Sequence, residues 1–295
     1  MSNNLLSADS LTDKIYKHDG FSSTILDSFD TPSSEPKGIG WDGTNVLSCD
    51  ADADKIYKHD EFSSLILDSF STPFINPFGA GWDGANVLST DSSYQDIYKH
   101  VGFSSSISDW FNSPGLTPFG VSWDGTNVLS VDGYESYIIY KHDGFSPTIL
   151  DSFLSPGIYP YGVDWDGTNV LSSDGGTDTI YKYVGFSSSI LDSFLSPSTQ
   201  PRGVAWAVGM TTYKLEGVTK DKDGNVLGSC LCFLFRDNLD NTLLYMGYVL
   251  SDSVTGAYSF TGLGAGPAQY LVVAWKDDTP HVFDVTDHVL QPVAE

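Results

Sequence analysis

The sequence predicts an all-β protein, a five-bladed β-propeller closed into a circle and followed by a small β-sandwich. Three observations predict it. Tryptophan recurs at Trp41, Trp82, Trp123, Trp165 and Trp206, each time as Gly-x-x-Trp, and steps of about 41 residues call for a repeat architecture. Every full repeat holds four short apolar runs separated by Asp-Gly, Asp-rich, Ser-Ser and Pro-rich breaks, which is turn chemistry and amounts to one propeller blade. No window of a dozen residues carries helical periodicity.

The elements follow in order from one repeat. A first strand, 36–41, ends at the Asp42-Gly43 turn. A second, 45–50, runs into an Asp-rich loop, and a third, 55–59, stops at Asp60-Glu61 with Ser63 and Ser64. A fourth, 65–70, leads into a Pro-rich link to the next unit. The chain starts out of phase with this pattern. Residues 3–9 match the second strand, and 14–18 and 24–29 match the third and fourth, so the first strand is missing. The array ends on a lone first strand, 202–206, whose turn is replaced by Ala207-Val208-Gly209. The orphan strand completes the orphan blade, and closure removes the sheet edges that an open solenoid would have to protect. The predicted propeller therefore spans residues 1–209.

Residues 210–295 belong to a second module. An alternating run, Cys230-Leu231-Cys232-Phe233-Leu234-Phe235, and the segment 270–275 lie between turn clusters, which is the pattern of a small β-sandwich.

Two resemblances rest on these residues. The unit Pro-x-Gly-Ile-x-Trp-Asp-Gly-x-Asn-Val-Leu-Ser-x-Asp with x-Ile-Tyr-Lys-His-Asp-Gly-Phe resembles NHL-type propeller repeats over about 200 residues. It departs from them in the recurrent Trp and in five units where six are usual. The second module resembles the transthyretin-like, carboxypeptidase-regulatory-like Ig-type domain, through Glu216-Gly217-Val218, Asp223-Gly224, Thr255-Gly256-Ala257-Tyr258-Ser259-Phe260 and Gly262-Leu263. Its closing segments, 270–278 and 282–287, are similar to versions of this domain in phage virion proteins.

Composition narrows the function classes. The net charge of −24 opposes nucleic acid and anionic membrane surfaces, because phosphate binding needs clustered Lys and Arg. No stretch is long and apolar enough to span a bilayer, and no basic or hydrophobic signal segment precedes the first predicted strand, so neither membrane insertion nor Sec-type secretion is expected. Cys49, Cys230 and Cys232 cannot form a disulfide framework; Cys230 and Cys232, alternate residues of one apolar strand, read as buried thiols, preferred over a metal or redox role, in a protein folded in a reducing cytoplasm.

Motifs of known chemistry are absent: there is no Gly-x-Ser-x-Gly, His-Glu-x-x-His, phosphate loop or dinucleotide fingerprint, so no enzyme activity and no cofactor are expected. His18, His59, His100 and His142 share one repeat position that Tyr183 fills in the fifth copy, which favours a structural role at a turn or strand edge over a ring of ligands. Lys17, Lys58, Lys99, Lys141 and Lys182 precede them and are expected to pair across strands with Asp27, Asp68, Asp109, Asp151 and Asp192. Acidic loops such as Asp50-Ala-Asp52-Ala-Asp54 could hold calcium, yet their spacing varies between copies and turn capping is preferred; no metal is expected.

In a blade of four antiparallel strands, the first and third connections share one face, and the second connections and inter-blade links share the other. The first set is nearly copied between repeats. The second varies and carries Phe74, Phe78, Tyr94, Phe119, Tyr134, Tyr137, Tyr159 and Tyr161, which marks it as a candidate ligand-binding face for a sugar or a protein epitope. Those beside proline could instead plug the inner end of a blade. Trp110 stands where the other copies have Ser28, Ser69, Ser152 and Ser193, which points to docking on the C-terminal domain or a neighbouring chain, a second copy included, or to local repacking.

The resulting expectation is a non-enzymatic virion surface protein, in a tail-fibre, receptor-binding or capsid-decoration role. It would fold in the host cytoplasm and be exposed by lysis, with the C-terminal domain on other virion proteins and the propeller on a host glycan or protein. A cellular, extracellular adhesin or lectin-like protein is the alternative. A propeller glycan hydrolase or lyase is third and would need two convergent carboxylates.

Overall fold

The computed structural model describes residues 2–73, 75–134, 136–210, 213–219, 225–226, 228–237, 243–263, 269–275, 284–285 and 293–294. The chain divides into two compact units, Ser2–Met210 and Thr211–Glu295 with Met1. The first consists of five four-stranded antiparallel sheets. Blade 1 orders its strands Pro201–Met210, Ser2–Asp9, Lys14–His18 and Ile25–Asp30 from the axis outward. Blade 2 runs Pro36–Trp41, Val46–Asp50, Lys55–His59 and Ile66–Ser71; blades 3, 4 and 5 repeat it within 77–112, 118–154 and 160–195. The five inner strands touch in succession, and the last, in blade 1, touches the inner strand of blade 2, so the ring is closed. This is a five-bladed propeller, with a splice in blade 1 where Leu5 pairs with Trp206 and Ser7 with Val204.

The splice strand is longer than the expected 202–206. In blades 2 to 5 the inner strand must stop at its Trp, because the next residues turn the chain back. Asp42 Oδ1 accepts the N–H groups of Thr44 and Asn45, and Gly43 takes φ +99°, open only to a residue without a side chain. Blade 1 receives its second strand from the other end of the chain, so no turn is needed and pairing continues to Ser2 opposite Met210.

Glycine has a different task in Pro-x-Gly. A Cβ on Gly38 would lie 2.4 Å from Phe78 O, and one on Gly203 would lie 2.6 Å from Ile39 N, so adjacent inner strands approach too closely for any side chain. The residue immediately before the loop Asp of the second strand stitches the same seam. Thr90 Oγ1 accepts from Gly79 N at 2.7 Å and donates to Phe119 O at 2.6 Å, and Ser173 repeats this between Gly162 N and Arg202 O. Cys49 fills that place in blade 2, accepting from Gly38 N, and burial pushes its thiol up to about 12. Its role is packing.

Blade-to-blade packing is cyclic. Phe29 sits edge-on to Phe62 of the next blade at 4.9 Å and tilts over His59 at 5.0 Å. Phe70, Phe111 and Phe153 do the same, and Phe194 of blade 5 closes the circle on Phe21 and His18 of blade 1. Each such pair adds roughly 0.5–1.5 kcal/mol beyond area burial.

His18, His59, His100 and His142 each end a third strand and serve the turn that follows, as expected, but they are fully buried inside the blades and not at an exposed edge. His18 Nδ1 donates to the Ser22 carbonyl at 2.9 Å, which leaves Nε2 to accept from the Ser7 hydroxyl at 2.8 Å. Burial lowers His18, His59, His100 and His142 to about 4, so they are neutral at pH 7. Tyr183 reaches Ser172 in the same way, at 2.8 Å.

In blades 2 to 5 the expected Lys–Asp pairs are corrected by the structure, whereas in blade 1, which has no Asp-Gly inner turn, Lys17 keeps Asp27 as a charged neighbour. Lys58 is opposite Asp68 in register, but its Nζ lies 2.7 Å from Asp42, in the inner turn of its own blade. Lys99–Asp83, Lys141–Asp124 and Lys182–Asp166 repeat this at 2.6–2.7 Å. The turn carboxylates are only 5–6 % exposed, whereas Asp68 faces solvent, and charge pairing is worth more where water is excluded. The Lys charge and the turn N–H groups hold all four turn carboxyls below the usual range despite burial, which pushes the other way.

In the second unit, one sheet orders Ala257–Leu263, Tyr213–Val218 and Val293–Ala294, and the other orders Leu243–Leu250, Leu231–Asp237, Gln269–Trp275 and Asp284–Val285. All pairings are antiparallel. Cys230 and Cys232 are both buried; Cys232 lies in its strand, while Cys230 precedes it and donates its N–H to the Ser251 hydroxyl oxygen at 2.9 Å.

Candidate functional site: two ends of the propeller axis

The second residue of each inner strand faces its counterparts around the axis. These residues are Lys37, Phe78, Phe119, Tyr161 and Arg202. Phe78 stacks on Phe119 at 4.3 Å, Phe119 meets Tyr161 at 5.0 Å, the Arg202 guanidinium caps Tyr161 at 4.1 Å, and Lys37 Nζ lies 5.2 Å from the Phe78 centroid. Lys37 and Phe119 are 8 % exposed, so this ring fills its end of the axial channel. Lys37 also pairs with Glu35, and Arg202 Nε donates to Ser10 Oγ.

Three of the eight aromatics expected on this variable face, Phe78, Phe119 and Tyr161, are thus joined in the plug. Tyr159 stacks over Tyr161 at 6.4 Å and beside Tyr134 at 6.2 Å, continuing the aromatic row outward. Tyr94 and Tyr134 are each 54 % exposed, Tyr137 is half-buried with φ +55°, and Phe74 lies outside the described residues. Trp110 is exposed on Ile107–Asn112. It shares the outward side of that strand with Ser108, and the other blades have Leu then Ser where this one has Ser then Trp, so a large apolar group is kept there, displaced by two residues.

The acidic loops of this face act as caps. Asp9 Oδ1 accepts from the N–H groups of Leu11 and Thr12, Asp91 Oδ1 from Ser93 and Tyr94, and Asp174 Oδ1 from Gly176 and Thr177. Among the described residues, no three His, Cys, Asp or Glu side chains converge as a metal site.

The opposite end of the axis is open. There the five Trp residues and the Asp-Gly turns of blades 2 to 5 surround a cavity of about 580 Å³. Its wall includes Gly40, Gly81, Ser122 and Asp164, the fifth residues of four inner strands. Asp164 breaks the pattern of small residues. Its carboxylate accepts from the Ser122 hydroxyl and from Trp206 N–H, on the blades either side, and burial raises it to about 6. Trp41 Nε1 donates to Val208 O at 3.2 Å, whereas the indole N–H groups of Trp82, Trp123, Trp165 and Trp206 have no acceptor among the described residues. Sequence reasoning passed over this cavity because Trp-Asp-Gly reads as turn chemistry in any one copy. The usable signal was the variation at the residue before each Trp.

No family model matches the chain, and no curated protein matches it. Among solved structures, the chain is similar to one described as a nidogen/laminin complex, at 16% identity and TM-score 0.48, over 70% of this chain and 99% of that one. It is also similar to the WD40 β-propeller domain of Doa1, at 11% identity and TM-score 0.46, over 68% and 67% of the two chains. A protein of unknown function from Bacteroides caccae aligns at 13% identity and TM-score 0.43, over 66% and 73%.

Proposed function

We propose that this chain is a non-enzymatic virion surface protein whose propeller presents a binding face and whose C-terminal unit, read as a transthyretin-like Ig-type domain, attaches to the particle. The propeller repeats are read as NHL-like. The observation that carries the binding role is the contrast between blade interfaces that repeat residue for residue and a face whose loops vary while keeping exposed Tyr94 and Tyr134 and the Tyr134–Tyr159 stack. The virion setting is supported by the likeness of 270–278 and 282–287 to phage virion domains. In this reading the protein folds in the host cytoplasm and meets a host glycan or protein after lysis.

Immunogold electron microscopy of the producing culture, with an antibody to the chain, tests this directly. Label on particles is expected, and its position on shell or tail separates decoration from host recognition. Label confined to cells would replace the virion reading with an exported, lectin-like adhesin.

A further inference from the structure

We propose that the cavity at the Trp end of the axis binds one neutral, pyranose-sized sugar. This is the side opposite the variable loops, and the inference stands independently of the virion reading.

The cavity has both halves of a hydroxyl-recognition set. Donors come from Trp82, Trp123, Trp165 and Trp206, residues of the lining whose indole N–H groups find no acceptor among the described residues. The fifth indole shows what such a group takes when an acceptor is present, for Trp41 is satisfied by Val208 O at 3.2 Å. Acceptor capacity comes from Asp164, whose carboxylate takes protein hydrogen bonds from Ser122 and from the backbone N–H groups of Trp206 and Trp165, fewer than the roughly four that a carboxylate can accept. A hydroxyl group donates to one and accepts from the other.

Charge weighs against a metal. Asp42, Asp83, Asp124 and Asp166 at the rim are each neutralised by a lysine at 2.6–2.7 Å, which leaves Asp164, among the described residues, as the one carboxylate of the lining without a lysine, too few oxygens for a hard cation. An ammonium ligand has nothing to offer the indole donors, and an anion would meet Asp164. The volume, about 580 Å³, falls within the range of small-ligand sites and suits a single sugar ring on the axis. All five blades contribute to one cavity, so the stoichiometry is one sugar per chain.

Saturation-transfer NMR on the full chain tests this. The probes are the methyl glycosides of glucose, galactose, mannose, fucose and N-acetylglucosamine, with tetramethylammonium and acetate as cation and anion probes. Transfer to at least one glycoside and to neither ion is expected. Asp164→Asn should weaken that glycoside at least tenfold, and Trp82→Phe, which keeps an aromatic ring but loses the N–H, several-fold. Trp82→Phe decides alone if Asp164→Asn does not fold. Silence from all five glycosides, preference for either ion, or affinity unchanged in the folded variants would overturn the assignment.

Discussion

The two faces of the propeller differ in what their sequence variation means. On the face of near-copied turns, the repeated polar residues hold each blade's own turns: Asp-Gly turns hold the lysines, and Asn45 Oδ1, accepting from Glu61 N–H at 3.0 Å, ties the two turns of one blade together. The N–H groups of Gly144 and Gly185 donate in the same way to Asn127 and Asn169, and in blade 1 Gly20 N–H donates to Asn4. On the variable face, loop caps are local and the side chains beyond them are free to differ. The comparison teaches that repetition reports cyclic packing and does not exclude function. The same turns that hold the ring also frame an open axial cavity.

The largest expected effect is loss of closure. Deleting 203–206 removes the inner partner of Ser2–Asp9, and the deletion protein should show no cooperative thermal transition by calorimetry. Melting close to that of the intact chain would mean that the splice does not hold the ring.

Acid comes next, through the buried histidines of the repeated face. Their folded pKa values near 4 lie below the unfolded value of 6.5, so the unfolded state binds more protons between those limits. Stability is complete above pH 6.5 and falls by about 1.4 kcal/mol per pH unit per histidine as pH drops toward 4. Asp164, raised to about 6, acts in the opposite direction and offsets part of the loss. His142→Tyr, which copies Tyr183, should flatten the pH dependence of urea denaturation by one histidine's share.

Glycine substitutions sharpen the contrast between seam and turn. Gly120→Ala puts a methyl 2.7 Å from Tyr161 O and 2.8 Å from Val163 N on the next inner strand. It should cost about 3 kcal/mol. Gly125→Ala meets nothing within 4 Å and loses only the fit to φ +98°. About 1 kcal/mol is expected, and equal costs in urea titrations would break the distinction.

On the variable face, Tyr161→Ala opens the plug and should cost about 2–3 kcal/mol. Tyr159→Ala should stay under about 1 kcal/mol while weakening attachment of labelled protein to its target surface. The smallest effect is a gain. Glu61, at φ +51°, occupies the left-handed position that Gly20, Gly102, Gly144 and Gly185 fill elsewhere. Glu61→Gly should stabilise by about 1 kcal/mol in thermal melts.

The strands were legible in the sequence because their limits are local chemistry. Asp42-Gly43 can only turn, and residues 3–9 match 45–50 closely enough that the missing inner strand is evident. Contacts between residues 41 apart were not. Lys58 faces Asp68 across two strands, and only burial of Asp42 decides that the turn carboxylate takes the charge. The plug was visible one residue at a time, as an aromatic beside a proline, but the stacking of Phe78, Phe119 and Tyr161 needs the circle to be closed first. The cavity was hidden for the same reason: Ser122 and Asp164 become neighbours only across a blade boundary.

The splice also fixes a timetable. Ser2–Asp9 leaves the ribosome about 190 residues before Pro201–Met210, the strand that must cover its inner edge. At synthesis rates of roughly 5–20 residues per second, that edge waits about 10–40 s. Throughout this interval the nascent chain offers a bare strand, with Leu5 and Leu6 in it, to any other chain nearby. Chains emerging side by side on one messenger could exchange these strands, so the yield of closed rings should depend on how densely the ribosomes are loaded.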